Sequence, residues 1–382
     1  MTKPGIHNTK HDTEKPYSRV ALVHDWLTGM RGGEKALEAV CELYPNAELY
    51  TLLHKRKSVS SVIENRSIHR SFIQYLPFSE NLYRYYLPLF PCAIEQFDLD
   101  NHDLIISTSH CVAKSAVRTG RAFHICYCFT PMRYAREQFD DYFGIERIGS
   151  TLSGFVSPIL NSLARWDTAT SGRVDSYIAI SQHVARRIKR YYNRSSKVVY
   201  PPVDTSFYSP NNMTPEDSFV AVSALVPYKR IDLAIRACKL SGIKLRIVGD
   251  GPDLNRLRQI ADSNIEFLGP LTNDAVRELY RSSKAMLLPG EEEFGIASVE
   301  AQACGCPVIA LKRGGAVETI VDGETGILVN QPTAEAFADA MRTAQARPFN
   351  QGITRRNAER FSTPRFRTEF KNAIDEALNL SV

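Results

Sequence analysis

A chain of 382 residues, 43% of them apolar, is long enough for two ordinary domains with a buried core in each, which excludes a wholly disordered polypeptide. Its 8 cysteines include no CxxC pair, which argues against a disulfide-stapled secreted module and favours a reducing compartment, with the cytoplasm as the expected location. The net charge of +5 is uneven: Lys and Arg outnumber Asp and Glu by 26 to 19 through Tyr200 and trail them by 21 to 23 beyond it, so the two halves carry different electrostatic tasks.

Residues 1–16 are polar, carry charges of both signs and lack the apolar stretch of a secretory signal, so they read as a disordered leader. No later stretch approaches the roughly 20 uninterrupted apolar residues of a spanning helix. From Arg19 onward, apolar or β-branched runs at 20–23, 104–107, 124–128 and 177–180 read as buried strands with helical patterns between them. A second series follows at 219–223, 244–248, 265–268, 285–288, 308–310 and 326–329, each run closed by a turn signal. Such alternation predicts an α/β protein of two Rossmann-like halves on parallel sheets, facing a cleft where strand C-termini and helix N-termini meet a ligand. Paired prolines in Tyr200-Pro201-Pro202-Val203-Asp204 mark an extended connector, giving a first half over 17–200 and a second over 201–363. The tail 364–382 holds an amphipathic helical pattern over 366–380 that can cross back to the first half.

The most informative run is EEEFGIASVEAQACGCPV, from Glu291 to Val308. A strand ends at Leu288, Pro289 and Gly290 turn the chain, and a helix starts near Gly295 and stops at Gly305, ahead of Pro307. Behind Phe294, its first turn offers the N–H groups of Gly295, Ile296 and Ala297 together with partial positive charge, which suits a diphosphate. Glu292 stands just outside that turn, and Glu300 lies about five residues, roughly 7.5 Å of helix rise, further along, where a ribose would offer hydroxyls. Three successive glutamates would also suit the helix dipole alone, but that leaves the spacing to Glu300 and the flanking turn unexplained.

The pattern E-x7-E followed by A-x-A-x-G-x-P-V resembles the retaining glycosyltransferases of family 4, which have the two-domain GT-B fold, and the likeness extends over 19–380. The resemblance implies that Glu292 contacts the donor sugar, that Glu300 holds the nucleotide ribose, and that no metal or other cofactor is needed. It makes the second half the nucleotide-sugar domain and the first half the acceptor side. Within Val222-Ser223-Ala224-Leu225-Val226-Pro227-Tyr228-Lys229-Arg230, it places Lys229 where an ammonium neutralises the donor phosphates, with Arg230 beside it. Many family members carry arginine where this chain has Ala224, so half of the usual clamp is missing and Arg230 or Arg31 would have to substitute.

The run HDWLTGMRGGEK, His24 to Lys35, follows the first strand, and Gly32 and Gly33 let a helix start approach the same phosphates from across the cleft. Its wording resembles the bacterial polysaccharide and O-antigen branch, many of whose members transfer mannose from GDP-mannose. Ser107-Thr108-Ser109-His110 closes another strand, and the resemblance makes His110 the histidine near the sugar's reacting carbon. His110, Glu292 and Lys229 are thus the expected catalytic set.

Other signals are weaker. Gly249-Asp250-Gly251-Pro252 and Phe267-Leu268-Gly269-Pro270 fit either a base pocket or plain turns. His124, Cys126 and Cys128 share one strand face without a fourth zinc ligand, which favours core packing, and Asp98-Leu99-Asp100 mimics a metal-binding DxD without following an obvious strand. Two surfaces suit an anionic membrane or, alternatively, a packed core with a solvated basic rim. One is the aromatic stretch 72–90; the other is the helix with Val184, Ile188 and Tyr191 among Arg186, Arg187, Lys189 and Arg190. No nucleic-acid module is present. The expected activity is retaining transfer of a hexose, mannose in the first instance, from a nucleotide sugar to a lipid-linked or polysaccharide glycan, a polyprenyl-linked one included, at the inner face of the plasma membrane. A transfer-inactive GT-B binding subunit and a nucleotide-sugar epimerase are the alternatives.

Overall fold

The first half folds around seven parallel strands: β1 Val20–His24, β2 Glu48–Thr51, β3 Ile68–Arg70, β4 Leu104–Ser109, β5 Phe123–Cys128, β6 Ser176–Ala179 and β7 Ser196–Val198. They lie in the order β3-β2-β1-β4-β5-β6-β7 in a computed structural model that describes residues 18–118, 120–132, 150–211 and 215–379. The leader expected over 1–16 lies outside the described residues. A second parallel sheet, ordered β10-β9-β8-β11-β12-β13, comprises β8 Glu216–Val222, β9 Lys244–Val248, β10 Ile265–Gly269, β11 Ser283–Leu288, β12 Val308–Leu311 and β13 Gly326–Val329. All ten strands read from apolar runs are present. Three that were not read are β2, β3 and β7; the last two are edge strands, three residues each, whose half-exposed Ile68-His69-Arg70 and Ser196-Lys197-Val198 carry no apolar run. Among the described residues no helix is long and apolar enough to cross a membrane.

The connector is no free spacer. Pro201 and Pro202 are buried, the Val203 N–H donates to the Phe361 carbonyl at 2.9 Å, and the Thr363 N–H returns to the Val203 carbonyl at 3.1 Å. The outgoing and returning segments therefore cross side by side. The helix Thr363–Asn379 then packs on the first half, where Phe366 and Phe370 stack at 5.2 Å and meet Tyr127 of β5 at 5.8 and 5.2 Å between ring centroids. One apolar cluster runs from β5 through these rings to Phe294 and Phe361 of the second half, so the two halves share core.

Two histidines are sealed inside the first sheet. His24 Nδ1 lies 2.7 Å from Thr108 Oγ1 and His124 Nε2 lies 2.8 Å from Ser107 Oγ, both fully buried. Burial penalises the charged imidazole and lowers His24 to about 4 and His124 to about 3.

Two outcomes are expected. Phe370→Ala removes a fully buried ring between the returning helix and the first half and should cost about 3–5 kcal/mol in urea unfolding at neutral pH; a loss under 1 kcal/mol would show the helix to be dispensable packing. The unfolded imidazoles take up protons near pH 6.5 whereas the folded ones do so only near 4 and 3. Stability from this source is complete above about pH 6.5 and lost as pH falls through the interval towards 4. Urea midpoints followed from pH 7 to pH 4.5 should fall less steeply in His24→Asn and His124→Asn, by up to about 1.4 kcal/mol per pH unit each; slopes equal to the parent's would refute the assignment.

Candidate active site

The helix Ile296–Ala303 begins after β11, with Gly295 as its N-cap at φ 88° and ψ 60°. The turn before it lies against the turn Pro227–Lys229 because Gly290 has no side chain: a Cβ there would stand 2.7 Å from the Tyr228 carbonyl oxygen and 2.8 Å from Lys229 Cα. That close approach brings the Lys229 ammonium onto both carboxylate oxygens of Glu292, in an ion pair mostly shielded from solvent. The Gly315 N–H secures the loop by donating to the Glu292 carbonyl at 2.7 Å.

Across the cleft the helix Gly32–Leu43 presents its own start. A Cβ on Gly32 would sit 2.9 Å from Ile296 Cδ1, so the two first turns touch. One turn further in, Lys35 Nζ meets Glu300 Oε1 at 2.5 Å, joining residues 265 positions apart. Glu300 is buried and also receives the Tyr208 hydroxyl, whose pKa is driven up by burial and then by this carboxylate. Lys35 is a site residue that sequence reasoning missed, because the partner that defines it belongs to the other half.

His110 follows β4 directly. Its Nδ1 lies 3.0 Å from Asp25 Oδ2, and the fully buried Asp25 carboxylate also accepts the backbone N–H groups of His110, Cys111, Val112 and Ala113 at 2.7 to 2.9 Å. Burial alone would raise the Asp25 carboxyl, but the charge and hydrogen bond of His110, aided by His24 and the backbone donor, outweigh it and hold the group far below the usual carboxylate range. With Nδ1 on Asp25, the other ring nitrogen is the one left for a ligand. The His110 ring meets Trp26 edge-on at 4.4 Å. Asp25 was the second omission: it sits inside the HDW run, but only the folded loop gives its carboxylate five donors.

The remaining predicted residues divide. Gly32, Gly33, Gly295, Ile296 and Ala297 are partly exposed around the two helix starts, as are Lys229 and Glu292, with the buried Glu300 beneath them. Phe294 turns its ring away into the shared core, stacked on Tyr200 at 5.6 Å and against Phe361 at 5.3 Å, so only its backbone serves the site. Arg230, in a left-handed conformation at φ 51°, is paired with Asp232 at 3.1 Å rather than turned to the Lys229 pair. Ala224 is exposed, and the loop after β9 packs beside it through the Leu225 N–H to Asp250 carbonyl bond of 3.0 Å.

Of the three successive glutamates only Glu292 pairs with Lys229. Glu293 is buried between the halves, 2.5 Å from Arg187 Nη1 and 3.0 Å from Thr130 Oγ1. Glu318 of the second half accepts the Gln182 and His183 N–H groups at 2.8 and 2.9 Å, at the start of the helix Gln182–Tyr192. Of the two readings of that helix the packed core with a solvated basic rim is the one found: Val184 and Ile188 are core, Arg187 points inward, and Arg186, Lys189 and Arg190 are exposed. Cys126 and Cys128 are fully buried, Asp98 and Asp100 lie on the surface before β4, and among the described residues no group of three or more His, Cys, Asp or Glu is arranged for a metal ion.

Residues 204–360 match the sequence family described as glycosyl transferases group 1. Among curated proteins, the D-inositol 3-phosphate glycosyltransferase of Mycobacteroides abscessus is 33% identical over 168 residues, 38% of this chain and 38% of that protein. The chain therefore matches well under two thirds of that relative's length. Among solved structures, Anabaena HepE in complex with UDP-glucose superposes with a TM-score of 0.69 at 18% identity, covering 94% of this chain and 99% of the other. Sucrose-phosphate synthase from Thermosynechococcus elongatus gives 0.70 at 16% identity, covering 95% and 99%. The architecture is accordingly the GT-B fold, and within it the second half is similar, over residues 204–360, to the glycosyl transferases group 1 family.

Proposed function

We propose that the chain is a retaining glycosyltransferase that moves a hexose from a nucleoside diphosphate to a hydroxyl of a glycan acceptor, lipid-linked or polymeric, on the cytoplasmic side of a membrane. The observation that carries this reading is the pair of carboxylates flanking one helix start, Glu292 and Glu300, each held by a lysine, Lys229 from the same half and Lys35 from the other. Two ammonium groups and two helix N-termini around one space suit a diphosphate, whose arrival would draw the lysines off their carboxylates. Glu292 would then be freed for sugar hydroxyls and Glu300 for the ribose.

The chemical task is to stabilise charge growing on the departing diphosphate while the anomeric carbon becomes cation-like. Lys229 and the N–H groups at Ile296 and Ala297 meet the first demand, and Glu292 with His110 the second. Asp25 fixes the His110 ring, so its orientation is settled before substrate enters. The run from His24 to Lys35 supports mannose from GDP-mannose as the donor. The family-matched second half serves as the nucleotide-sugar domain and the first half as the acceptor side.

A thermal-shift panel of nucleotide sugars tests the donor: GDP-mannose should raise the melting temperature in proportion to its occupancy. UDP-glucose acting in its place would keep the reaction and replace the sugar. Glu300→Gln should weaken donor binding by about 1–3 kcal/mol, and unchanged affinity would remove the ribose role. His110→Ala should lower turnover roughly 100-fold or more with donor affinity nearly intact; equal loss in both would make the histidine structural. Donor binding without transfer to any acceptor would favour a binding subunit, and interconversion of free nucleotide sugar an epimerase.

A further inference from the structure

The segment 75–89 turns five large apolar side chains to solvent: Tyr75 at 75% exposure, Phe78 at 77%, Leu82 at 43%, Tyr85 at 79% and Leu89 at 40%. Only five other large apolar residues among the described ones are comparably exposed, and they lie at scattered positions. All five fall on or between the short turns Phe72–Tyr75, Ser79–Leu82 and Tyr83–Leu89, so these exposed side chains are gathered in one stretch of the chain. Ile73, Tyr83, Leu87 and Phe90 point the other way and are buried. The segment is thus amphipathic with its second apolar stripe facing out, which a water-exposed turn has no reason to keep.

Charge identifies what covers the stripe. The loop Lys55-Arg56-Lys57 is exposed and joined to the segment's first turn, since the His54 N–H donates to Gln74 Oε1 at 2.8 Å. Arg70 just precedes that turn and Arg84 lies within the segment, both exposed, against one exposed acid in the segment, Glu80. Aromatic rings flanked by five cations match the boundary of an anionic bilayer, where rings sit at the headgroup level and lysine and arginine pair with lipid phosphates. A protein partner of ordinary composition would not call for this excess of one sign.

We propose that the stripe 75–89 and the basic loop 55–57 dock the protein on an anionic membrane surface. The position of the stripe adds a consequence. On its buried side Tyr83 packs against Trp26 at 5.0 Å between centroids, and the same Trp26 meets His110 at 4.4 Å. Docking therefore sets the bilayer beside the histidine end of the cleft, where an acceptor carried on a lipid would arrive. The surface itself stands on exposure and charge; its bearing on the acceptor rests on the transferase reading above.

Sedimentation of the full chain with vesicles tests it. Binding is expected to vesicles containing phosphatidylglycerol, to be weak on pure phosphatidylcholine, and to fall as salt rises. Lys55→Ala/Arg56→Ala/Lys57→Ala should reduce binding roughly 100-fold, at about fivefold per cation. Tyr75→Ser/Phe78→Ser/Tyr85→Ser should reduce it at least as far with the melting temperature unchanged. Tyr85→Ser alone, at the most exposed position, keeps the test valid if the triple variant misfolds. Equal binding to both vesicle types, no binding by the parent, or a concentration-dependent dimer abolished by the same substitutions would each overturn the proposal. Donor-induced thermal shift, measured on the same variants, reports the transferase reading separately.

Discussion

Two helix N-termini, at Gly32 and Ile296, open onto the same space and lie so close that a Cβ on Gly32 would have to displace the tip of the Ile296 side chain. Each carries about half a positive charge, so their approach is unfavourable unless negative charge stands nearby. The protein supplies it from within. Glu34 accepts the Arg31 N–H at 3.1 Å at one helix start, and Glu292 and Glu300 flank the other. A diphosphate would meet the same need with more charge in a smaller volume, which is the physical reason the cleft suits that ligand.

The lysine pairings follow from this constraint. Carboxylates placed to serve a ligand would be costly to leave unpaired at their depth, and each therefore has a cation at hand. Other contacts between the halves involve carboxylates that do not pair with the site lysines: Glu293 with Arg187 and Thr130, and Glu318 on the start of Gln182–Tyr192. Together with the crossing at Val203 and Phe361, they hold the two halves so that residues hundreds of positions apart meet.

The first half carries the chain's net positive charge, and the structure resolves where that charge is used. The cations of the helix Gln182–Tyr192 are partly committed inward, through Arg187, whereas those of the loop 55–57 remain on the surface beside the outward aromatic stripe. Two stretches that look alike as strings of aromatic and basic residues thus differ once their apolar faces are placed against, or away from, the sheet.

How much was legible depends on whether a signal is local. Central strands could be read because both faces are buried and the residues are apolar in succession, and the helix at Ile296 could be read from Gly295, Gly305 and Pro307. The edge strands β3 and β7 escaped because each is three residues long and carries no apolar run. The inward turn of Phe294 and the pairing of Arg230 with Asp232 escaped because side-chain direction is set by neighbours remote in the chain or by a left-handed backbone. By itself the sequence determined the two parallel α/β halves, since these are written in short-range periodicity and turn chemistry, and its resemblance to a known family singled out Glu292, Glu300 and Lys229. Only the tertiary structure decided that Lys35 meets Glu300, that Asp25 gathers five donors at His110, and that one of two aromatic stretches faces solvent, because each is a contact between segments that approach only when the sheets and their crossing helix pack.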